Sequence, residues 1–409
     1  MGLVVFPVSL YAYPHGYRRH TDEIYATVRY DLAVYYDESG EDLIEYIPAF
    51  TGIRVTQIEG SWRKIEYTIN GNTKTGWITE GDFYSDCLYY DGREKQVLAD
   101  GSYQFTIDDP RSYEEARIHN IPAQDDYGHF SIPVALTYLN DKSYQILRTD
   151  TNKYLSSDPA DPENHRCHWG YLWEASLVTI DYEKGGYIIR DKSTGFALTR
   201  DGKGALRFEY GDGIPFKALR TDGKVLDEHS LRVYAQYDAD WAGDYYGRGK
   251  NEEPGANNFC TSACGIFAPM NAIYTLTGKF VDPHILADYA VEKDYRTLGN
   301  GTDSGFFRAA ASRFGKEFGF KFDGEAGDVD TLRKRLNKGE VAIAHVPGHY
   351  VAIVDYNKKT KKYLLLDPHY LPKRETCPYG DWVSRSVLEG ETNISPQMYY
   401  FYKARKLPQ

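Results

Sequence analysis

The chain has 409 residues, a net charge of −11 and 37 tyrosines. An acidic balance without clustered Lys and Arg excludes a phosphate-backbone partner, so no nucleic acid is expected. No run of about eighteen apolar residues occurs, so no membrane span is expected, and the length allows roughly two to four folded units.

Tyrosine at this density suits strands and half-wet surfaces, where the ring packs and the hydroxyl meets water. Cys87, Cys167, Cys260, Cys264 and Cys377 are scattered and odd in number. That is no disulfide framework, and at least one thiol stays unpaired in the monomer. There is no Cys-x-x-Cys pair, so a structural zinc site is not expected; no cofactor is.

The first unit, 1–92, opens with an N-terminal strap. From about residue 25 to 90 it reads as short strands: ATVRYDLAVYYD, LIEYIPAFTGIRVTQIEG, SWRKIEYT and TKTGWITEGDF. The Gly-x-x-Val strand, Trp62 with Ile65, and Gly76-Trp77-Ile78 resemble bacterial SH3-like domains, small barrels attached to cell-wall enzymes. The resemblance implies a wall peptide as ligand. The start, MGLVVFPVSLYAYPHG, lacks the basic flank and long apolar core of a signal peptide. With an N-terminal unit of secreted type, the expectation is a secreted or cell-surface bacterial protein whose leader was removed.

The second unit, 93–228, carries a weak repeat of roughly 40 residues. GSYQFTI, KSYQILRTDTNKYLSS and GGYIIRDKSTGFALTRDG open its copies. The last two align as Tyr144-Gln-Ile with Tyr187-Ile-Ile, Arg148 with Arg190 or Asp191, Thr151 with Thr194, and Tyr154-Leu155 with Phe196-Ala197. Units too small to bury their own faces predict a threefold β structure. They resemble the lobes of a ricin-type β-trefoil. The Gln-x-Trp signature of that family is absent, with Trp173 and Phe216 near the place of its aromatic, so a structural spacer stands beside a glycan-binding lectin. His165, Cys167, His168 and Trp169 fit no common metal spacing, and their polar, Pro-containing stretch is expected to be a solvated loop.

Helical periodicity begins after residue 260. GIFAPMNAIYTLTG is apolar at helical spacing and stops at Gly278. Further helices are predicted in DPHILADYAVEKD, SGFFRAAASRFGKEFG and DVDTLRKRLNKG, then strands in EVAIAHV, HYVAIVDYN, KYLLLDPH and MYYFYKAR. Helices followed by an antiparallel sheet make an α+β unit over 229–409. The whole chain therefore reads as multidomain, with a small all-β SH3-like barrel, a β-trefoil-like unit and this α+β unit.

The third unit carries the chemistry. Cys264 precedes Gly265 and the first helix, so its sulfur belongs in the first turn, where unpaired N–H groups and the helix dipole stabilise a thiolate. Cys260, one turn earlier in ANNFCTSA, competes for the role. His349 and Asp367 are almost equidistant from a hairpin centre near Lys358 and Lys359, which predicts that they stand directly opposed on one face. A carboxylate on one ring nitrogen fixes the tautomer and leaves the other nitrogen for sulfur. His345 lies four residues before His349, but Pro347 and Gly348 break any helix between them and no HExxH glutamate exists. His369, at a strand end after Asp-Pro, is the weaker base.

The order Gln, Cys-Gly-helix, Gly-His-aromatic strand, Asp-Pro is similar to the papain-like cysteine peptidases. Within them it resembles the branch of double-glycine-leader, or bacteriocin-processing, peptidases. Gln236-Tyr-Asp238-Ala-Asp-Trp241 matches the motif that precedes the cysteine there. Cys264, Gly265, Ala268, Leu276, Gly278, Leu286, Ala287 and Ala290 match the pattern that follows it, while Ala263 stands where a glycine is usual. The resemblance implies that Cys264 attacks, His349 carries the proton, Asp367 orients it, and Gln236 holds the oxyanion with the Cys264 N–H. The implied function is a secreted cysteine peptidase acting on a peptide or protein, brought to cell-wall peptide or glycan by its N-terminal units. A peptidoglycan-peptide hydrolase or amidase, and a papain-like binding protein without turnover, are the alternatives.

Overall fold

The computed structural model describes residues 24–90, 96–107, 133–139, 142–157, 166–200, 206–221, 231–247, 257–297, 301–369, 380–390 and 394–405. The expected strap, His165, Cys377 and the boundaries near 92 and 228 lie outside the described residues. The chain is multidomain and mostly β.

The N-terminal sheet contains β1 (Ile24–Val28), β2 (Leu32–Tyr35), β3 (Leu43–Ile47), β4 (Gly52–Glu59), β5 (Trp62–Ile69), β6 (Asn72–Thr79) and β7 (Cys87–Tyr90). They run in the order β3-β2-β6-β5-β4-β1-β7. Period-two patterning sends Arg63, Ile65 and Tyr67 of β5 inward. Gly76 lets β6 press on β2, because a methyl there would lie 2.3 Å from a Val34 methyl. The helix Glu80–Asp86 corrects the expectation that helices begin only after residue 260. Thr79 caps it by accepting the Asp82 N–H at 3.0 Å, a signal hidden in so short a segment.

Next come β8 (Gly101–Ile107), β9 (Val134–Tyr138), β10 (Ser143–Arg148), β11 (Lys153–Ser157), β12 (Cys167–Gly170), β13 (Val178–Glu183), β14 (Gly186–Asp191), β15 (Ala197–Arg200), β16 (Leu206–Glu209) and β17 (Phe216–Arg220). Six of them close a ring: β8 pairs β9, then β10, β13, β14, β17 and back to β8. The pairs β11–β12 and β15–β16 lie outside that ring. Tyr103, Tyr144 and Tyr187 occupy equivalent places in the three repeats and are all buried.

Register corrects the repeat alignment by one residue. Arg148 pairs with Lys153 and Leu147 with Tyr154, while Arg190 pairs with Ala197. The equivalents are therefore Arg148 with Asp191, Tyr154 with Ala197 and Leu155 with Leu198, both leucines being buried. A slip of one residue reverses strand faces, which is why the aromatic match of Tyr154 to Phe196 misled. A second correction concerns Cys167, His168 and Trp169, which form strand β12 rather than a solvated loop, with Cys167 and Trp169 buried.

The ring meets the C-terminal unit at the end of the helix Cys264–Thr277. Gly278 adopts a left-handed φ of 70°, and its carbonyl accepts from the Ala99 N–H at 2.7 Å and the Tyr103 hydroxyl at 3.4 Å. Beside it Lys279 is buried, its Nζ donating to the Glu317 carbonyl at 3.2 Å. Burial, with help from Lys217, lowers its pKa from 10.5 to about 7. Between those values the unfolded chain binds the extra proton, so stability rises with pH across that window. Below 7 both states are charged and the full burial penalty is present. Lys279→Met is expected to melt higher than the parent at pH 6, with the gap narrowing toward pH 10 in parallel thermal melts.

The C-terminal unit holds the small hairpin β18 (Arg296–Thr297) and β19 (Gly301–Thr302), then β20 (Phe320–Ala326), β21 (Val341–Val346), β22 (His349–Asn357), β23 (Lys362–Leu366), β24 (Asp381–Ser384) and β25 (Met398–Ala404). The last six form an antiparallel sheet ordered β20-β25-β21-β22-β23-β24. The four predicted helices are present as Cys264–Thr277, Pro283–Glu292, Gly305–Phe318 and Val329–Leu336. Tyr350, Ala352 and Val354 face the first of these, and Val351 and Ile353 face Leu332 and Leu336 of the last. A helix buried on nearly every side needs an apolar sequence all round, and Cys264–Thr277 has one.

Candidate active site

Cys264 is the first residue of that buried helix. The short helix Phe259–Ser262 leads into it, capped by Asn258, whose Oδ1 accepts the Thr261 N–H at 2.9 Å. Ala263 is the joint between the two, and its methyl is buried in the core. Cys264 keeps partial exposure, whereas Cys260 is buried and burial pushes its thiol up to about 11 despite the Arg29 charge. That separates the two candidates in favour of Cys264.

The turn Pro347–Gly348 delivers the histidine. Proline at its second position and glycine with a φ of 67° at its third suit a tight turn. Val346 then pairs with His349, so the imidazole stands at the very start of β22. Its Nε2 lies 2.7 Å from Asp367 Oδ1, with both side chains buried. The same oxygen accepts the His369 N–H at 2.9 Å.

The pairing of acid and imidazole arises differently from the expected direct opposition. Ala352 pairs with Leu366, and the register shifts between Ile353 and Asp355. Continued one step, that ladder sets Asp367 opposite Val351, two residues from His349. Diagonal neighbours still share a face. The bulge moved the hairpin centre without separating the pair.

A side-chain hydrogen bond joins Cys264 to His349. With Nε2 held by Asp367, Nδ1 is the nitrogen left to the sulfur. Burial alone would raise the thiol, but the His349 charge and hydrogen bond, then the N–H groups of Tyr350 and Gly265, hold it below its ordinary value. Burial opposes charge on His349 too, yet Asp367 and Cys264 raise it to about 9. Both shifts run in the direction that favours a thiolate–imidazolium pair over the neutral thiol and imidazole.

Gln236 sits beside this group. Its N–H donates to the Pro368 carbonyl at 2.8 Å and its Nε2 to the Cys260 carbonyl at 2.6 Å. One side-chain N–H is thus engaged one turn before the sulfur, rather than standing wholly free for an oxyanion. Trp241 closes the turn that follows, its Nε1 donating to the Ala235 carbonyl at 2.8 Å.

Two positioning residues escaped sequence reasoning. Asn271, buried in the central helix, accepts the Tyr234 N–H at 2.7 Å and donates to the Tyr234 carbonyl at 3.1 Å. A lone amide in an apolar helix was its only signal. Arg296 donates to the carbonyls of Tyr246 and Gly301 at 2.9 and 3.1 Å, tying two loops together near Cys264. His345 stacks on Tyr350 at 4.7 Å, and no group of metal-ligating side chains exists among the described residues.

Thr302 of β19 packs on the helix tip. A methyl at Gly265 would come 2.5 Å from the Thr302 Cβ. Alanine gains about 1 kcal/mol over glycine inside a helix, but overpacking costs about 1–3 kcal/mol, and no real contact is that short. Gly265→Ala is therefore expected to lower the melting temperature, the reverse of the usual result.

No family model, curated protein or solved structure matches the chain.

Proposed function

We propose that the chain is a cysteine hydrolase that cuts peptide bonds. One observation carries this reading: a partly exposed thiol with lowered pKa, bonded to an imidazole whose other nitrogen a buried carboxylate holds. The similarity to papain-like peptidases of the double-glycine-leader branch agrees with it, as does the order of buried helix and antiparallel sheet. The closed ring with its outlying strand pairs supports the trefoil-like reading of the middle unit. The N-terminal sheet is taken as SH3-like on its Gly76-Trp77-Ile78 strand.

The Cys264 thiolate attacks the carbonyl carbon of the scissile amide. The N–H of Cys264 and the second N–H of Gln236 are the donors for the oxyanion, each contributing a few kcal/mol. As the tetrahedral centre collapses, His349 passes its proton to the leaving amine. It then takes a proton from the water that hydrolyses the thioester, and Asp367 keeps its orientation throughout. Thiolate, imidazole and carboxylate suffice, so no cofactor enters.

Substrates of this reading are peptides or proteins, met by a secreted or surface-held bacterial enzyme. A cell-wall peptide is the second reading, favoured by the wall-enzyme character of the SH3-like sequence. Digestion of casein beside purified muropeptides separates the two. Iodoacetamide labelling tests both: modification of Cys264 ahead of the other described thiols supports a working nucleophile, and an unlabelled Cys264 in the folded protein leaves a binding role.

A further inference from the structure

The N-terminal sheet meets the C-terminal unit through a small buried cluster beside the nucleophile. Leu88 of β7 packs with Ala235, Tyr237, Ala242 and Cys260, and Phe50 closes the group. Phe50 stands between β3 and β4 with a left-handed φ of 66°, an uncommon backbone for an aromatic residue. Its N–H donates to the Val28 carbonyl at 2.7 Å, which keeps the turn closed. The ring lies on Gly243, where a methyl would come within 3.3 Å of it. Gly52, two residues on, abuts Ala239 so closely that a methyl there would meet the alanine's at 2.9 Å.

The far side of the same segment faces the helix tip. The Ala242 carbonyl accepts the Cys260 N–H at 3.0 Å, and Gln236 Nε2 reaches the Cys260 carbonyl. The stretch 235–243 is thus clasped between the N-terminal sheet and the turn before Cys264. Cys264 and His349 stand on other elements, the central helix and β22, and Asp367 directly follows β23, where the Pro368 carbonyl accepts the Gln236 N–H.

We infer that Phe50 is a positioning residue that fixes Gln236 for oxyanion binding, so the N-terminal sheet is a working part of the catalytic unit. This rests on the hydrolase reading above. An oxyanion donor helps only when it is aimed before the charge develops, and a misplacement of about 1 Å can cost about a hundredfold. A unit used merely for targeting would leave the chemistry alone.

The test uses the full chain with Phe50→Ala, Phe50→Leu, Gln236→Ala and the Phe50→Ala/Gln236→Ala double variant. Four quantities are read: kcat, KM, the rate of Cys264 alkylation by iodoacetamide, and the NMR signal of the Gln236 carboxamide. Phe50→Ala is expected to lower kcat about ten- to a hundredfold, with KM and alkylation within about twofold and a displaced carboxamide signal. Phe50→Leu restores most of kcat, and Phe50→Ala adds little in the Gln236→Ala background. The inference is overturned by an unchanged kcat, by alkylation falling in step with turnover, or by full additivity of the two variants. If the parent protein hydrolyses nothing, the peptidase reading fails separately. The carboxamide signal then decides on its own whether Phe50 positions Gln236.

Discussion

Cys264→Ala is expected to abolish peptide hydrolysis, by about six orders of magnitude if it follows other nucleophile deletions. The residual rate is that of water in a site with only oxyanion donors and binding left. Among the described thiols, iodoacetamide labelling should be lost with it, because the other three are poorly placed to react. Cys87, Cys167 and Cys260 are all buried, and burial raises each thiol, to about 12 for Cys87 and about 11 for Cys260. The fold should survive, since the side chain packs at the margin of the core rather than within it. Labelling that persists undiminished in the alanine variant would move the nucleophile elsewhere.

His349→Ala is expected to cost nearly as much in turnover, for two separable reasons. It removes the proton donor for the leaving amine, which higher pH cannot replace. It also removes the main influence that lowers the Cys264 pKa, so the thiol is pushed up by burial, the largest cause, with only the Tyr350 and Gly265 N–H groups opposing it. Alkylation of the variant should therefore be slower than that of the parent at pH 6 and recover as pH rises, while hydrolysis stays lost at every pH. In the parent protein, kcat/KM should climb as Cys264 ionises and fall near pH 9 as His349 gives up its proton. Equal alkylation of parent and variant at pH 6 would show that no ion pair forms.

Much of this was legible in the sequence because local rules and tertiary demands agreed. GIFAPMNAIYTLTG reads as a helix, ends on a glycine and is buried on nearly every side, so periodicity and packing gave one answer. His349 and Asp367 were found by counting along a hairpin, and the count survived a bulge because a diagonal neighbour still lies on the same face. What failed was finer. β20 pairs with β25 at the far end of the chain, and β24 is only four residues long, so neither was read from local pattern. The repeat offset was misjudged by matching aromatics, when buried Leu155 and Leu198 define it. Gln236 lies in the turn beside Cys260, and its bond to the Cys260 carbonyl depends on a turn made by Asp238 and Trp241 that spacing alone does not give.

The helix that begins at Cys264 is fourteen residues long, about 21 Å at the usual rise. Its reactive tip and its pinned end are opposite ends of one rigid strut. Trimming the gene to residues 231–409 would strip the donors of Ala99 and Tyr103 from the Gly278 carbonyl and bare the surface around Lys279. Such a fragment is expected to collect in the insoluble fraction on expression, while the full chain stays in the supernatant. The chemistry proposed for Cys264 thus depends on a fold that the neighbouring ring helps to hold.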